Sequence, residues 1–249
     1  MKVRLRRRLR AKADARGLLI AFEGPDGAGK TTQRRLLKTW LTQHDHCVHV
    51  STSAPSRAIR PLLKARQRIH ALNAQEFCLL HAADFRHRLE TDILPALWKG
   101  DTVIADGFLL SDIARATARG LDFDWVLTVY APLLWPDLCV YFAVSPDTST
   151  TRIAAVRAPS FYRAAQDATN IADPIASYRR FVARARHEYE AFADIFPVAT
   201  VNAEAPIYEQ HLHVRNLVQR TVRRDWTEEN AEAVGEWLAL TAVAAADQP

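Results

Sequence analysis

Short apolar runs alternate with amphipathic stretches along most of this chain. Leu18–Phe22 is continuously apolar ahead of Gly24, the pattern of a strand buried on both faces. After Lys30 the spacing turns helical, with Leu36, Leu37, Trp40 and Leu41 on one side. Cys47–Val50 predicts a second strand and Thr102–Ala105 a third. Leu138–Val144, behind the breaker Pro136-Asp137, predicts a fourth, and Val198–Val201 a fifth. Gln75–Trp98 predicts one long helix, with Pro95 in its last turns and Lys99-Gly100 as its stop. Asp173–Phe196 predicts another, its apolar positions being Ile175, Phe181, Val182, Tyr189, Phe192 and Ile195, and Ile207–Val222 one more. Ser145-Pro146 has the chemistry of a helix start, a capping hydroxyl followed by a proline at the first helical position. Strands alternating with helices predict the α/β class, a parallel sheet with helices on both faces.

Residues 17–223 are expected to form one domain between a basic tail, 1–16, and a C-terminal helical extension, 224–249, whose helix Asp225–Leu240 Thr227 would cap. A chain of 249 residues buries enough surface to need no disulfide or metal staple. Cys47, Cys78 and Cys139 lie far apart in apolar stretches and predict buried free thiols in a reducing cytoplasm. The apolar stretch Trp237–Ala246 is shorter than the roughly 20 residues a bilayer span needs, so no membrane is expected. The net charge of +5 changes meaning once located: residues 1–16 hold eight basic residues against one acidic, leaving −2 for the rest. The basicity belongs to a tail, which argues against nucleic acid as the main partner. Trp40, Trp98, Trp125, Trp135 and Trp237 read as core or interface anchors, and the spacing of His44, His46 and His49 does not make a metal site.

The chemistry starts at Gly24-Pro25-Asp26-Gly27-Ala28-Gly29-Lys30-Thr31, which matches G-x-x-x-x-G-K-[ST] between a predicted strand and a predicted helix. Successive backbone N–H groups of such a loop curl around phosphate oxygens. Lys30 reaches the β- and γ-phosphates, Thr31 offers a hydroxyl to Mg²⁺, and the following helix aims its N-terminus at the anion. The motif predicts nucleoside triphosphate binding and does not say where the phosphoryl group goes.

Phe22 through Thr32-Gln33 closely resembles the opening of thymidylate kinases. Leu79-Leu80-His81-Ala82-Ala83-Asp84, Ile93-Leu94-Pro95-Ala96-Leu97 and Gly100 resemble that family's middle helix. Val103-Ile104-Ala105-Asp106 resembles the strand ending in its Asp-Arg motif, and Pro136-Asp137-Leu138 the entry to its fourth strand. The resemblance spans roughly 18–222 and implies a three-layer P-loop kinase fold with a five-stranded parallel sheet. It further implies transfer of the γ-phosphoryl of ATP, with Mg²⁺, to a nucleoside monophosphate, dTMP first, in a homodimer. Asp26 would contact the acceptor's 3′-hydroxyl, and Asp106 would lie near Mg²⁺ and the reacting phosphates. Arg152, Arg157 and Arg163 would belong to a mobile lid that supplies catalytic charge.

The departures gather on the acceptor side. The family's Asp-Arg pair is Asp106-Gly107 here, the aromatic that stacks on thymine aligns with His81, and a phosphate-binding arginine aligns with Phe85. Arg88, three residues beyond Phe85 on roughly the same helical face, and Arg115 and Arg119 are the candidates to replace the lost charge. The family's Arg-Glu-Pro after the second strand is also absent from Ser51–Arg60. Three readings stay open: dTMP held by shifted arginines, a different small acceptor, or nucleotide binding with little turnover.

Overall fold

A computed structural model describes residues 17–131, 133–156 and 158–223. The expectations placed on residues 1–16, on Arg157 and on the helix Asp225–Leu240, Trp237 included, lie outside them.

Five strands form one parallel sheet: β1 (Leu18–Glu23), β2 (Val48–Thr52), β3 (Thr102–Asp106), β4 (Leu138–Ala143) and β5 (Val198–Asn202), in the order β2-β3-β1-β4-β5. The helices are α1 (Lys30–Thr42), α2 (Arg60–Arg68), α3 (Ala74–Arg88), α4 (Leu94–Lys99), α5 (Leu109–Thr117) and α6 (Phe123–Tyr130). They continue with α7 (Pro146–Ala154), α8 (Gln166–Thr169), α9 (Pro174–Ile195) and α10 (Ile207–Arg223).

Each central strand buries both faces, which is why its sequence is a run rather than an alternation. From β1, Leu19 and Ala21 enter the core under α3, α5, α6 and α9, while Ile20 and Phe22 enter the core under α1 and α10. Val103 and Ala105 against Ile104 in β3, and Cys139 and Tyr141 against Val140 and Phe142 in β4, divide the same way. In this order the connection from β1 runs past β3 to β2 and the connection from β3 runs past β1 to β4, so the two adjacent strands send their chains in opposite directions. Open parallel sheets bind ligands in the crevice at such a switch point, here the carboxyl ends of β1 and β3.

The predicted helix Gln75–Trp98 is a continuous helical rod with a π-turn, Leu89–Ile93, between α3 and α4. Pro95 has no N–H for an i−4 bond, and the widened turn accommodates that loss. Gly100 ends the rod as expected, and Ser145 caps α7 by accepting from Thr148 N at 3.2 Å. Three expectations need correction. Cys47 is exposed, because it precedes the edge strand β2, whereas Cys78 and Cys139 are buried. On α1 the buried face is Gln33, Leu37 and Leu41, and Leu36 lies on the solvent side. Ile195, counted among the apolar positions of its helix, is about half exposed at the end of α9; Trp98, read as a core or interface anchor, is half exposed at the end of α4 and so lies outside the core.

Candidate active site

The loop joining β1 to α1 carries the phosphate motif. Gly27 has φ +77°, and a Cβ there would stand 2.8 Å from the Ser149 carbonyl, so glycine lets the loop pack on α7. Ser149 Oγ and Tyr178 OH both donate to the Asp26 carbonyl, at 2.7 and 2.9 Å, fixing the loop's tip from behind. Arg152 Nη1 donates to the carbonyls of Gly27 (3.1 Å) and Ala203 (3.0 Å). It therefore braces the loop from α7. Ala28 is fully buried beneath the loop, and Thr32 N bonds back to the Gly29 carbonyl at 3.0 Å as the first helical turn closes.

Lys30 Nζ donates to the Gly24 and Pro25 carbonyls at 2.6 and 2.7 Å. Burial pulls its ammonium below the ordinary lysine value, while Asp26, Asp106 and Glu23 oppose that shift. Thr31 Oγ1 donates to Asp106 Oδ2 at 3.0 Å, which brings the motif's hydroxyl and the carboxylate at the end of β3 together. A hydroxyl and a carboxylate at hydrogen-bond distance are hard oxygen donors of the kind Mg²⁺ takes in phosphoryl-transfer sites.

Asp26 meets Arg163, whose Nε donates to Asp26 Oδ2 at 2.6 Å. Desolvation would raise the Asp26 carboxyl, but Lys30 and Arg163 hold it below the usual carboxylate value. The segment carrying Arg163 is anchored on its other side. Tyr162 OH accepts from Leu72 N (2.9 Å) and donates to Leu72 O (3.3 Å), and Tyr162 packs with Leu63, Leu72 and Phe77. The residues from Phe161 to Asp167 thus strap the phosphate loop to α2 and α3.

The acceptor-side residues divide sharply. Phe85 is 3% exposed and packs against Phe108 and Tyr130, so it belongs to the core. Arg88 is buried behind Gly107, its Nη2 donating to the Gly107 carbonyl at 2.9 Å. Arg119 lies just past α5 and is committed too: Nε to Asp167 Oδ2 (3.0 Å), Nη1 to Arg115 O (3.0 Å) and Nη2 to Tyr162 O (2.9 Å). His81 packs against Phe77 with ring centroids 4.2 Å apart and the planes tilted by 36°. Burial, then Arg115 and Arg119, push its imidazole down to about 3, so it is neutral at physiological pH. Arg115 remains one-third exposed, with Asp112 as its carboxylate partner. It is also close enough to Asp26, Lys30 and His81 to shift all three.

Gly107 explains why no arginine projects after Asp106. Its φ is +74°, and a Cβ there would lie 2.8 Å from Ser53 Oγ. Ser53, in the stretch that lacks Arg-Glu-Pro, fills the space.

Two further residues stand at the site without having been singled out from the sequence. Arg34 Nη1 donates to the same Asp106 Oδ2 at 3.0 Å. Its spacing, four residues beyond Lys30 on one helix face, was the available signal. Glu23, fully buried, accepts from the N–H groups of Phe108, Leu110 and Ser111 and from Ser111 Oγ. It caps α5 from the end of β1. Burial raises its carboxyl above the ordinary value while these donors pull it back.

Comparison with known proteins agrees with this geometry. A family model described as thymidylate kinase matches residues 22–210, more than half of the chain. A probable thymidylate kinase of Pyrococcus horikoshii is 32% identical over 212 residues, covering 82% of this chain and 97% of that protein. The thymidylate kinase of Anoxybacillus flavithermus is 30% identical over 218 residues, covering 83% and 99%. Probable thymidylate kinase 2 of Saccharolobus solfataricus is 39% identical over 138 residues, 55% of this chain and 64% of that protein.

Proposed function

This chain belongs to the thymidylate kinase family, and we propose that it transfers the γ-phosphoryl group of ATP to dTMP, giving dTDP and ADP. The observation that carries the reading is the meeting of Thr31 from the phosphate loop with Asp106 from β3, 3.0 Å apart, beside Lys30. In the transfer, an oxygen of the acceptor phosphate attacks the γ-phosphorus as the bond to the β–γ bridging oxygen breaks. ADP leaves with that electron pair. Little covalent chemistry falls to the protein, so positioning and charge do most of the work.

In this mechanism the backbone of Gly24–Gly29 and Lys30 bind the donor's phosphates. Thr31 and Asp106 would hold Mg²⁺, which supplies charge neutralisation on the phosphates. Asp26, kept ionised, accepts from the acceptor's 3′-hydroxyl, and Arg163 orients it. Arg115 takes the acceptor phosphate, supported by its exposure and its reach to Asp26 and His81. His81, neutral and packed against Phe77, flanks the base. Arg152 acts by holding Gly27 and the loop at Ala203 in place.

The test is ADP release with Mg·ATP against a panel of nucleoside monophosphates, with Lys30→Ala as blank. Selective turnover of dTMP supports the reading. Selective turnover of another monophosphate moves the acceptor and makes His81 the residue to exchange; silence across the panel with ATP still bound refutes it. The likeness also proposes a homodimer in the cytoplasm, which light scattering and fractionation check. Among the described residues, no helix is long and apolar enough to cross a membrane.

A further inference from the structure

Phosphoryl transfer needs positive charge on the migrating group, and the chain offers no side chain for it at Gly107. The arginines nearby differ in what they have left to give. Arg88 and Arg119 are each at least nine-tenths buried and donate to main-chain carbonyls, Arg119 also to Asp167. Arg115 donates to Asp112 and to the Ser111 carbonyl and is assigned above to the acceptor phosphate. Arg34 differs: among the described residues its guanidinium spends one N–H, on Asp106 Oδ2, and none of its nitrogens is buried without a partner. A guanidinium carries five N–H donors in a planar fork, so four are left without a hydrogen-bond partner among the described residues. Arg34 Nη1 and Thr31 Oγ1 are each 3.0 Å from the same oxygen, hence within twice that distance of one another. The side chain is 16% exposed, which keeps it near the surface of the crevice and partly desolvated.

We propose that Arg34 grips the γ-phosphoryl group during transfer, with one N–H held by Asp106 and the remaining donors turned to the phosphate. The charge that would otherwise follow β3 is thereby delivered from the first turns of α1. Asp106 orients the guanidinium, and the fork geometry suits the phosphate oxygens as a lysine would not. The inference rests on the kinase reading above.

Its test has two arms, run on the full chain with Arg34→Ala, Arg34→Lys and the exposed neighbour Arg35→Ala as control. In dTMP turnover, Arg34→Ala should lower kcat by about 100-fold or more and raise the KM for Mg·ATP about fivefold, while the KM for dTMP moves less than about threefold. Millimolar guanidinium should restore part of that loss, and Arg34→Lys should stand well below the parent. In calorimetry, which needs no acceptor, Arg34→Ala should weaken Mg·AMPPNP at least about fivefold and leave Mg·ADP within about twofold. Turnover of Arg34→Ala within about threefold of the parent, or equal weakening of both nucleotides, would overturn the proposal. A parent inactive on dTMP would count against the kinase reading alone, because the nucleotide comparison still decides Arg34.

Discussion

Replacing Asp167 with alanine tests what holds the strap to the body of the domain. The Arg119 and Asp167 side chains are 1% and 8% exposed, with Nε and Oδ2 3.0 Å apart, so the substitution leaves a guanidinium buried without its counter-charge. Removing one partner of a buried pair costs about 3–5 kcal/mol. Arg119 keeps part of its support: carbonyl partners at Arg115 and Tyr162, and the rings of Phe77 and Phe181 at 4.1 and 4.8 Å. Asp167 Oδ1 is also buried without a hydrogen-bond partner, so the native pair is itself imperfectly satisfied. Both facts put the loss at the lower end, about 3 kcal/mol. Urea unfolding of Asp167→Ala, Arg119→Met and the double variant measures it. The double variant should fall short of the sum of the singles by about 2 kcal/mol, since neither charge is then stranded. A single-variant loss below about 1 kcal/mol, or strict additivity, would refute the reasoning.

The remaining expectations concern pH, capping and the backbone. The unfolded chain protonates His81 below the ordinary value of 6.5 and the folded chain resists until about 3, so stability declines as pH falls between them. His81→Phe should therefore lose about 2 kcal/mol less than the parent between pH 7 and pH 5 in urea titrations; equal losses would sink the idea. Glu23→Ala strands three buried N–H groups at the start of α5 and should cost about 3 kcal/mol or more by the same method. Gly107→Ala should cost about 1–2 kcal/mol because of the positive φ and the Ser53 contact, and Gly107→Arg should add no activity for the same reason. An active, undamaged Gly107→Arg enzyme would contradict that account.

Much of the fold was legible because burial on both faces leaves a signature that short windows hold. Leu18–Phe22, Val103–Ala105 and Leu138–Val144 are apolar runs, and each is a strand of the sheet. Local chemistry was legible for the same reason: Ser145-Pro146 and Gly100 act within one turn of themselves. The acceptor side was harder, because its geometry is decided by long-range partners. Helical spacing places Arg88 on the face of Phe85, yet only the tertiary structure supplies the Gly107 carbonyl that claims it. Arg119 is likewise spoken for by Asp167, nearly fifty residues away. The short helices α2 and α6 escaped notice, since eight or nine residues with few buried positions leave little periodicity to read.

The strap has a thermodynamic corollary for the two nucleotides. Tyr162 is locked to Leu72 on the acceptor flank while its neighbour Arg163 is locked to Asp26 on the donor loop. A body tied at both ends cannot loosen over one ligand and stay shut over the other. Whatever free energy one nucleotide contributes to seating the strap is energy the second no longer has to supply. Reciprocity then requires that dTMP tighten Mg·ADP by the same factor as Mg·ADP tightens dTMP. Cutting either tie, by Tyr162→Phe or Arg163→Ala, should bring that factor toward unity in calorimetric titrations while each nucleotide alone still binds.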